Sequence, residues 1–190
     1  MNNVYDTIEL QDLAKGYVVI KENNETIIEG FNTIVNTGRS FILSKIANSA
    51  FDTDLPPLSG SNKTDYSGYK FYKAYLCEAR VEDTKVAPAT SPDDGIETYR
   101  AFIERAKGSK FEKNIRAANT SYDIEERDII IKFDITGDYT DAESRVISSI
   151  ILTIASDNKG TGEAMFSRFT FDPKVITGNA LIQINYHIHF

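Results

Sequence analysis

The C-terminal segment carries the most regular hydrophobic pattern in the chain. From residue 180 to residue 190, apolar and polar residues alternate, which is the period of a β-strand with one buried face. We expect the buried face to contain Ile182, Ile184, Tyr186, Ile188 and Phe190, and the opposite face to contain Gln183, Asn185, His187 and His189.

Three further segments of the C-terminal half predict strands. Residues 127–136 alternate in the same way, whereas residues 145–155 are apolar on both faces and predict a strand covered on both sides. The third segment, residues 164–171, follows the turn sequence SDNKGTG, and Pro173 is expected to end it. With the last strand, these segments predict a four-stranded antiparallel run with short connections.

The N-terminal half is less regular and mixes strands with a helix. Residues 16–21 and 25–31 predict a hairpin across ENNE. Asn36 or Thr37 is a suitable cap for a helix that runs to about Ala50. Its predicted apolar stripe is Ile42, Leu43, Ile46, Ala47 and Ala50.

The middle of the chain predicts two strands separated by long loops. Residues 70–80 and 111–123 are the strands, and a short helix fits within residues 97–108. Prolines, glycines and small polar residues in 52–69 and 83–96 predict loops, which at this length usually bind a ligand or a neighbouring chain. The predicted fold class is mainly β: one domain over residues 1–190, an antiparallel β-sandwich or open barrel of about eight strands with one α-helix in the N-terminal half.

Composition and charge exclude several classes of protein. The chain has 190 residues with 28 acidic and 21 basic side chains, a formal charge of -7, which disfavours a generally basic nucleic-acid-binding surface. It contains no apolar run long enough for a transmembrane helix, and its first residues lack the pattern of a signal peptide. The single cysteine, Cys77, excludes an internal disulfide and is expected to be a small buried hydrophobe.

The residues available for catalysis are few. The chain has only two histidines, His187 and His189, and it lacks the phosphate-binding loop, the dinucleotide fingerprint, the nucleophile elbow and the HExxH motif. We therefore expect a protein that is not an enzyme and that holds no cofactor. An enzyme that uses carboxylates alone stays open, because the sequence does not single out a pair among its acidic residues.

Three groups of residues have both a binding interpretation and a structural one. His187 and His189 lie on one strand face and could chelate a metal, although no third ligand is evident nearby, so we expect a polar strand face and no metal. Aromatic and basic residues interleave between Tyr66 and Tyr75, which suits stacking on a sugar or a base, or a strand with one buried face. Acidic loops could bind calcium or simply form turns, and they contain Asp52, Asp54, Asp134, Asp138 and Asp141.

Two segments resemble small virion structural proteins of tailed bacteriophages. The first is GFNTIVNTGRSFILSKI, residues 30–46, which contains the pattern N-x-I-V-N-x-G-R before a helix. The second is MFSRFTFDPKVITGNALIQINYHIHF, residues 165–190, in which F-x-R-F-x-F-x-P-K precedes a turn and an alternating strand. The patterns concern packing and not chemistry, and residues 52–126 have no counterpart in the resemblance.

The resemblance implies a non-enzymatic subunit of a phage virion, made in the host bacterial cytoplasm. Its first implied place is a ring at the head–tail junction, the neck, or in the tail, and a capsid accessory, decoration or head-fibre protein is the alternative. Apart from the resemblance, the Tyr66–Tyr75 segment leaves a carbohydrate-binding β-sandwich module as a further alternative. The partners of the virion subunit would be copies of itself and neighbouring phage structural proteins, with passive contact to DNA in a channel and none with a membrane. The acidic balance suits such a channel, because a negative wall does not hold phosphates. The expected packing or assembly residues are Asn36, Gly38, Arg39, Phe166, Arg168, Phe169, Phe171, Pro173, Tyr186, His187, His189 and Phe190.

Overall fold

The fold is mainly β, as the sequence predicts. The structure, a computed structural model, describes residues 14–50, 66–78, 91, 93–109, 111–123, 125–135, 145–176 and 180–190. Within them, nine antiparallel strands form one curled, half-barrel sheet that carries two helices, one of them in the N-terminal half. The curled sheet is closer to the open barrel than to the sandwich of the two expected architectures.

The helices and strands alternate in an irregular order along the chain. The helices are α1 (Asn36–Ala50) and α2 (Arg100–Ala106), and α2 follows a 3-10 turn at Ile96–Tyr99. The strands are β1 (Lys15–Glu22), β2 (Glu25–Ile34), β3 (Lys70–Glu78), β4 (Glu112–Asn114), β5 (Thr120–Asp123), β6 (Asp128–Ile135), β7 (Arg145–Ala155), β8 (Ala164–Ile176) and β9 (Ile182–His189).

The order of strands in the sheet is β4-β3-β7-β8-β2-β1-β9-β6-β5. All four strands predicted in the C-terminal half exist, but the expectation that they form one consecutive antiparallel run is wrong. Strands β7 and β8 do pair, whereas β9 lies between β1 and β6 and is separated from β8 by the β1–β2 hairpin. The hairpin takes this central place because the buried faces of β1 and β9 match along their whole length.

The predicted β1–β2 hairpin is confirmed, and its turn has a clear local cause. Asn23 and Asn24 both have positive φ, 50° and 70°, as the two central residues of a type I′ turn require. Asn23 also ties the turn to the start of β9, because its N–H donates to the Leu181 carbonyl at 2.9 Å and its side chain accepts from the Leu181 N–H at 3.1 Å.

Strand β8 continues through Pro173 to Ile176, so the expectation that Pro173 ends the strand is wrong. The register between β7 and β8 moves from Ile147–Lys174 to Ser149–Thr170, which leaves Pro173 in an irregular stretch of the ladder. A proline lacks an N–H to donate, and such a bulge is the place in a strand where that loss is tolerated.

Helix α1 forms where the sequence predicts it and packs against β8. Ile42 of the predicted stripe is buried, but Leu43 is exposed, and Phe41 contributes the larger buried side chain. Helix α2, which the sequence only allowed, packs against β3 through the buried Ile103 and Ala106.

Strand β7 is buried on both faces, which confirms the prediction for residues 145–155. In β3 the expectation of one buried aromatic face opposite an exposed one is wrong, since Ala74, Tyr75, Leu76 and Cys77 are all buried. Cys77 is confirmed as a buried side chain, and burial raises the pKa of its thiol to about 11.

The single strand predicted over residues 111–123 is wrong. Two short strands, β4 and β5, lie at opposite edges of the sheet, and a 3-10 turn at Ala117–Asn119 separates them. The predicted loops 52–69 and 83–96 lie largely outside the described residues; Tyr66–Tyr69 form a turn, and the 3-10 turn begins at Ile96.

Candidate functional site on the outer face of the sheet

A row of side chains crosses the outer face of the sheet, the face opposite the buried side chains of β1, β6 and β9. We call this set the outer row: Phe31 of β2, Tyr17 of β1, His187 of β9 and Ile130 of β6. Each member lies directly opposite the next on the neighbouring strand, so the row spans about 14 Å at the usual strand spacing.

The outer row combines exposure with aromatic contact. Phe31 is 76% exposed, although its ring packs edge-on against that of Tyr17 with centroids 5.3 Å apart. Tyr17 also contacts the ring of His187, at 6.3 Å between centroids. Slight burial and a hydrogen bond with Glu29 raise the pKa of the Tyr17 hydroxyl, so it stays a neutral donor at physiological pH. The row is therefore a mainly aromatic strip that also carries the hydroxyl of Tyr17 and the imidazole of His187.

His187 of the outer row and the neighbouring His189 both contact the carboxylate of Asp128. The Nδ1 of His187 lies 3.0 Å from Oδ2 of Asp128, and the Nδ1 of His189 lies 3.2 Å from Oδ1 of the same residue. Asp128 begins β6 directly opposite His189. Both histidines thus lie on the polar face that the alternation of the last strand predicts. Among the described residues, no group of three or more His, Cys, Asp or Glu side chains is arranged to hold a metal ion.

The two segments of the resemblance, residues 30–46 and 165–190, pack against each other at the start of α1. Gly38 lies so close to β8 that a Cβ there would be 2.2 Å from the Phe166 carbonyl oxygen. The Val35 N–H donates to that carbonyl at 3.1 Å. Phe166 is fully buried, and its ring contacts the rings of Phe41 and Phe71 at 6.0 and 5.0 Å between centroids.

The two other expected residues of α1 differ in their surroundings. Asn36 is on the surface, and its side-chain N–H donates to Oδ1 of Asp93 at 2.6 Å, which joins the start of α1 to the segment before α2. Arg39 is half-buried, and its Nε has no hydrogen-bond partner within the part of the chain that the structure describes.

Arg168 is the largest fully buried side chain among the described residues. Its guanidinium carbon lies 3.4 Å from the ring centroid of Tyr99, and Nη2 donates to Oγ of Ser149 at 3.2 Å. Its Nε and Nη1 have no partner in the described ranges. Burial lowers the pKa of Arg168 to about 10, because a charge is poorly solvated there. Arg168 therefore fastens the Tyr99 segment to β8 mainly by stacking.

Replacement of Arg168 by methionine tests this assignment. We expect Arg168→Met to leave the free energy of unfolding at or above that of the natural chain, as measured by urea denaturation. Removing two unsatisfied donors gains about 1–3 kcal/mol each, against the loss of a cation–π contact of about 2 kcal/mol that the methionine sulfur partly replaces. Arg168→Ala should lower the stability through lost packing. Equal destabilisation by both substitutions would contradict the assignment and indicate that the charge has a strong partner.

The remaining expected residues of β8 and β9 belong mainly to the inner face. The Tyr186 hydroxyl is buried and shares hydrogen bonds with Ser167 and with the side-chain N–H of Asn32. Phe169 is buried against Gly30. Phe171 is half-buried, whereas Pro173 and Phe190 are exposed, so Phe190 does not continue the buried face that the alternation predicts.

The other two candidate groups are the aromatic and basic residues between Tyr66 and Tyr75 and the acidic loops considered for calcium. Tyr75 is fully buried and donates a hydrogen bond to Glu163 at 2.8 Å, while Tyr66 and Tyr69 pack on each other and against the core. Asp134 is exposed on β6. The other acidic residues proposed for calcium lie outside the described residues.

Sequence reasoning missed the outer row and the role of Asp128. Period-two alternation places Ile130 and His187 on outward faces, but it makes no such assignment for Tyr17 or Phe31. The meeting of Tyr17, Ile130 and His187 depends on β9 lying between β1 and β6, which no local pattern reveals.

Comparison with known proteins adds no relative: no family model, no curated protein and no solved structure matches this chain. No helix among the described residues has the length and apolarity to cross a membrane. The fold thus defines the class of the chain as a mainly antiparallel β protein with a curled sheet.

Proposed function

We propose that this chain is a non-enzymatic structural subunit of a tailed-phage virion, first of all a ring component of the head–tail junction or of the tail. Its partners are then copies of itself and neighbouring phage structural proteins, and its place is the virion. The observation that carries the proposal is the outer row, a mainly aromatic strip across paired strands with Phe31 exposed at one end.

The outer row has the composition of a docking surface. Aromatic residues are enriched in protein interfaces, where a few of them supply most of the binding energy. Phe31 and Tyr17 are held by paired strands, so their side chains lose little freedom when a partner covers them. The exposed ring of Phe31 is available for a partner to cover.

The packing of the two resemblance segments supports the phage proposal independently. Although more than a hundred residues separate them in sequence, β2 pairs with β8 at Thr33–Arg168 and Ile34–Ser167. The close approach of Gly38 to Phe166 joins them again. Patterns shared with virion proteins therefore coincide with one packed unit, as expected if they specify a common scaffold.

The acidic charge fits a wall that DNA passes without binding. The formal charge of -7 repels phosphates, so in a ring the chain would guide DNA passively. A capsid accessory, decoration or head-fibre protein is the second candidate, because the outer row would serve equally to attach the chain to a capsid surface. The carbohydrate-binding module is disfavoured, because the tyrosines it needs pack against the core.

Incorporation of a Phe31→Ala variant into particles tests the proposal. In a phage that lacks this gene and receives it in trans, we expect the variant to enter purified particles at a level reduced severalfold or more. An aromatic anchor contributes about 2 kcal/mol or more to docking, which corresponds to about 30-fold in affinity. The level is measured by quantitative mass spectrometry of gradient-purified particles.

Val175→Ala is the matched control, because Val175 is an apolar residue 64% exposed on β8 and outside the outer row. Both variants should melt close to the natural chain, since neither residue is buried. Incorporation of Phe31→Ala at the level of Val175→Ala would refute the assignment of the outer row.

A further inference from the structure

We propose that His187 and His189 form a binding site for a divalent transition-metal ion, with zinc as its representative, and that Asp128 orients both rings. The site uses the free Nε2 atoms of the two imidazoles. It shares His187 with the outer row, but its evidence is separate from that of the virion proposal, because it rests on the geometry of β6 and β9.

The shared carboxylate fixes which ring nitrogen is free. A carboxylate can only accept a hydrogen bond, so each Nδ1 that lies 3.0 or 3.2 Å from Asp128 carries the hydrogen and donates it. Each neutral imidazole then has its lone pair on Nε2. A carboxylate behind a histidine in this way is the arrangement that orients metal-binding histidines and increases the basicity of the ligating nitrogen.

The spacing of the two histidines places both ligands on one side of the sheet. Residues two apart on a strand are about 6.8 Å apart and point to the same face, which is within the reach of two imidazoles that bind one ion. The common contact with Asp128 holds the Nδ1 atoms of both rings at one carboxylate. The site therefore supplies two nitrogen ligands and leaves the other coordination positions to water.

The donor set selects the class of ion. Imidazole suits zinc, copper and nickel, whereas calcium and magnesium require oxygen ligands. Asp128 acts behind the histidines and not as a ligand, because it contacts their Nδ1 atoms.

The site is open to an incoming ion. The side chains of His187 and His189 are 26% and 55% exposed, and Asp128 is more covered at 18%, as expected for the group behind the ligands. Tyr17 lies opposite His187, and Lys15 lies opposite His189 on β1. Lys15 is exposed and can turn into solvent when a cation binds.

Nitrogen NMR of the histidines and zinc titration together test the proposal. The untagged chain contains no other histidine, so every imidazole signal comes from this site. We expect both free imidazoles to carry the hydrogen on Nδ1, and zinc to shift the Nε2 signals of both. Calorimetry should show one zinc ion per chain and no binding of magnesium.

Three substitutions and one control separate the roles of the residues. Either His187→Asn or His189→Asn should weaken zinc binding at least tenfold, and Asp128→Asn should weaken it by about 10–100-fold, the usual effect of removing an orienting carboxylate. Asp134→Asn, an exposed acidic residue on the same face of β6, should leave the affinity unchanged. Circular dichroism checks that each variant is folded; should one of them unfold, the NMR of the natural chain still decides.

Three results would overturn the proposal: no binding at millimolar zinc, binding that survives both histidine substitutions, or imidazoles that carry the hydrogen on Nε2.

Discussion

Replacement of Phe166 by alanine is expected to lower the free energy of unfolding by about 3–5 kcal/mol, the usual cost of truncating a buried phenylalanine. Phe166 is fully buried, and its ring fills the space between α1 and the sheet against Phe41 and Phe71. These neighbours lie on a helix and on a strand, so they cannot collapse into the cavity together. Urea denaturation followed by circular dichroism measures the change.

The same substitution at Phe31 is the control for this prediction. Phe31 is exposed and loses only its edge contact with Tyr17, so Phe31→Ala should cost less than about 1 kcal/mol. If Phe166→Ala were as mild as Phe31→Ala, the packing of α1 on β8 would be contradicted.

Replacement of Gly38 by alanine is expected to destabilise the protein by about 1–3 kcal/mol, the range for inserting a group into a packed region. Within an exposed helix this change would stabilise by about 1 kcal/mol, because alanine is the better helix former. Here the added Cβ would lie 2.2 Å from the backbone oxygen of Phe166, so the helix must move away from β8. That movement weakens the hydrogen bond from Val35 to Phe166.

Gly95→Ala provides the opposite case for comparison. Gly95 has extended backbone angles, φ -102° and ψ 171°, and nothing lies within 4 Å of its ideal Cβ position. We expect its thermal melting to match that of the natural chain. A stabilising effect of Gly38→Ala would show that α1 does not approach β8 as closely as described.

Most helices and strands of this fold can be predicted from the local sequence pattern. A strand with one buried face shows apolar residues at every second position. Strand β9 is the clearest example, whereas the continuous apolar run of β7 reflects burial on both faces. The two asparagines of the β1–β2 turn predict the hairpin. The order of the strands in the sheet could not be predicted in this way. Nothing in the sequence of β8 and β9 indicates that a hairpin from the N-terminus lies between them, because pairing is decided by the match of whole buried faces.

Residue type misleads where tertiary structure overrides its usual preference. Arginine is seldom buried without a charged partner, so the burial of Arg168 under Tyr99 could not be read from its sequence context. Pro173 reads as a strand end, yet the irregular register of β8 accommodates it. The candidate sites could not be predicted from the sequence either. Phe31, Tyr17 and Asp128 are brought near the histidines only by the pairing of β2 with β1, and of β1 and β6 with β9.

The virion proposal requires the chain to be present in mature particles, and quantitative mass spectrometry of virions purified from cells that carry this gene tests it most directly. We expect peptides of this chain to accompany the particles through the density gradient at a fixed ratio to the major capsid protein. Absence of the chain from purified virions, with its peptides confined to the infected-cell lysate, would contradict the proposal.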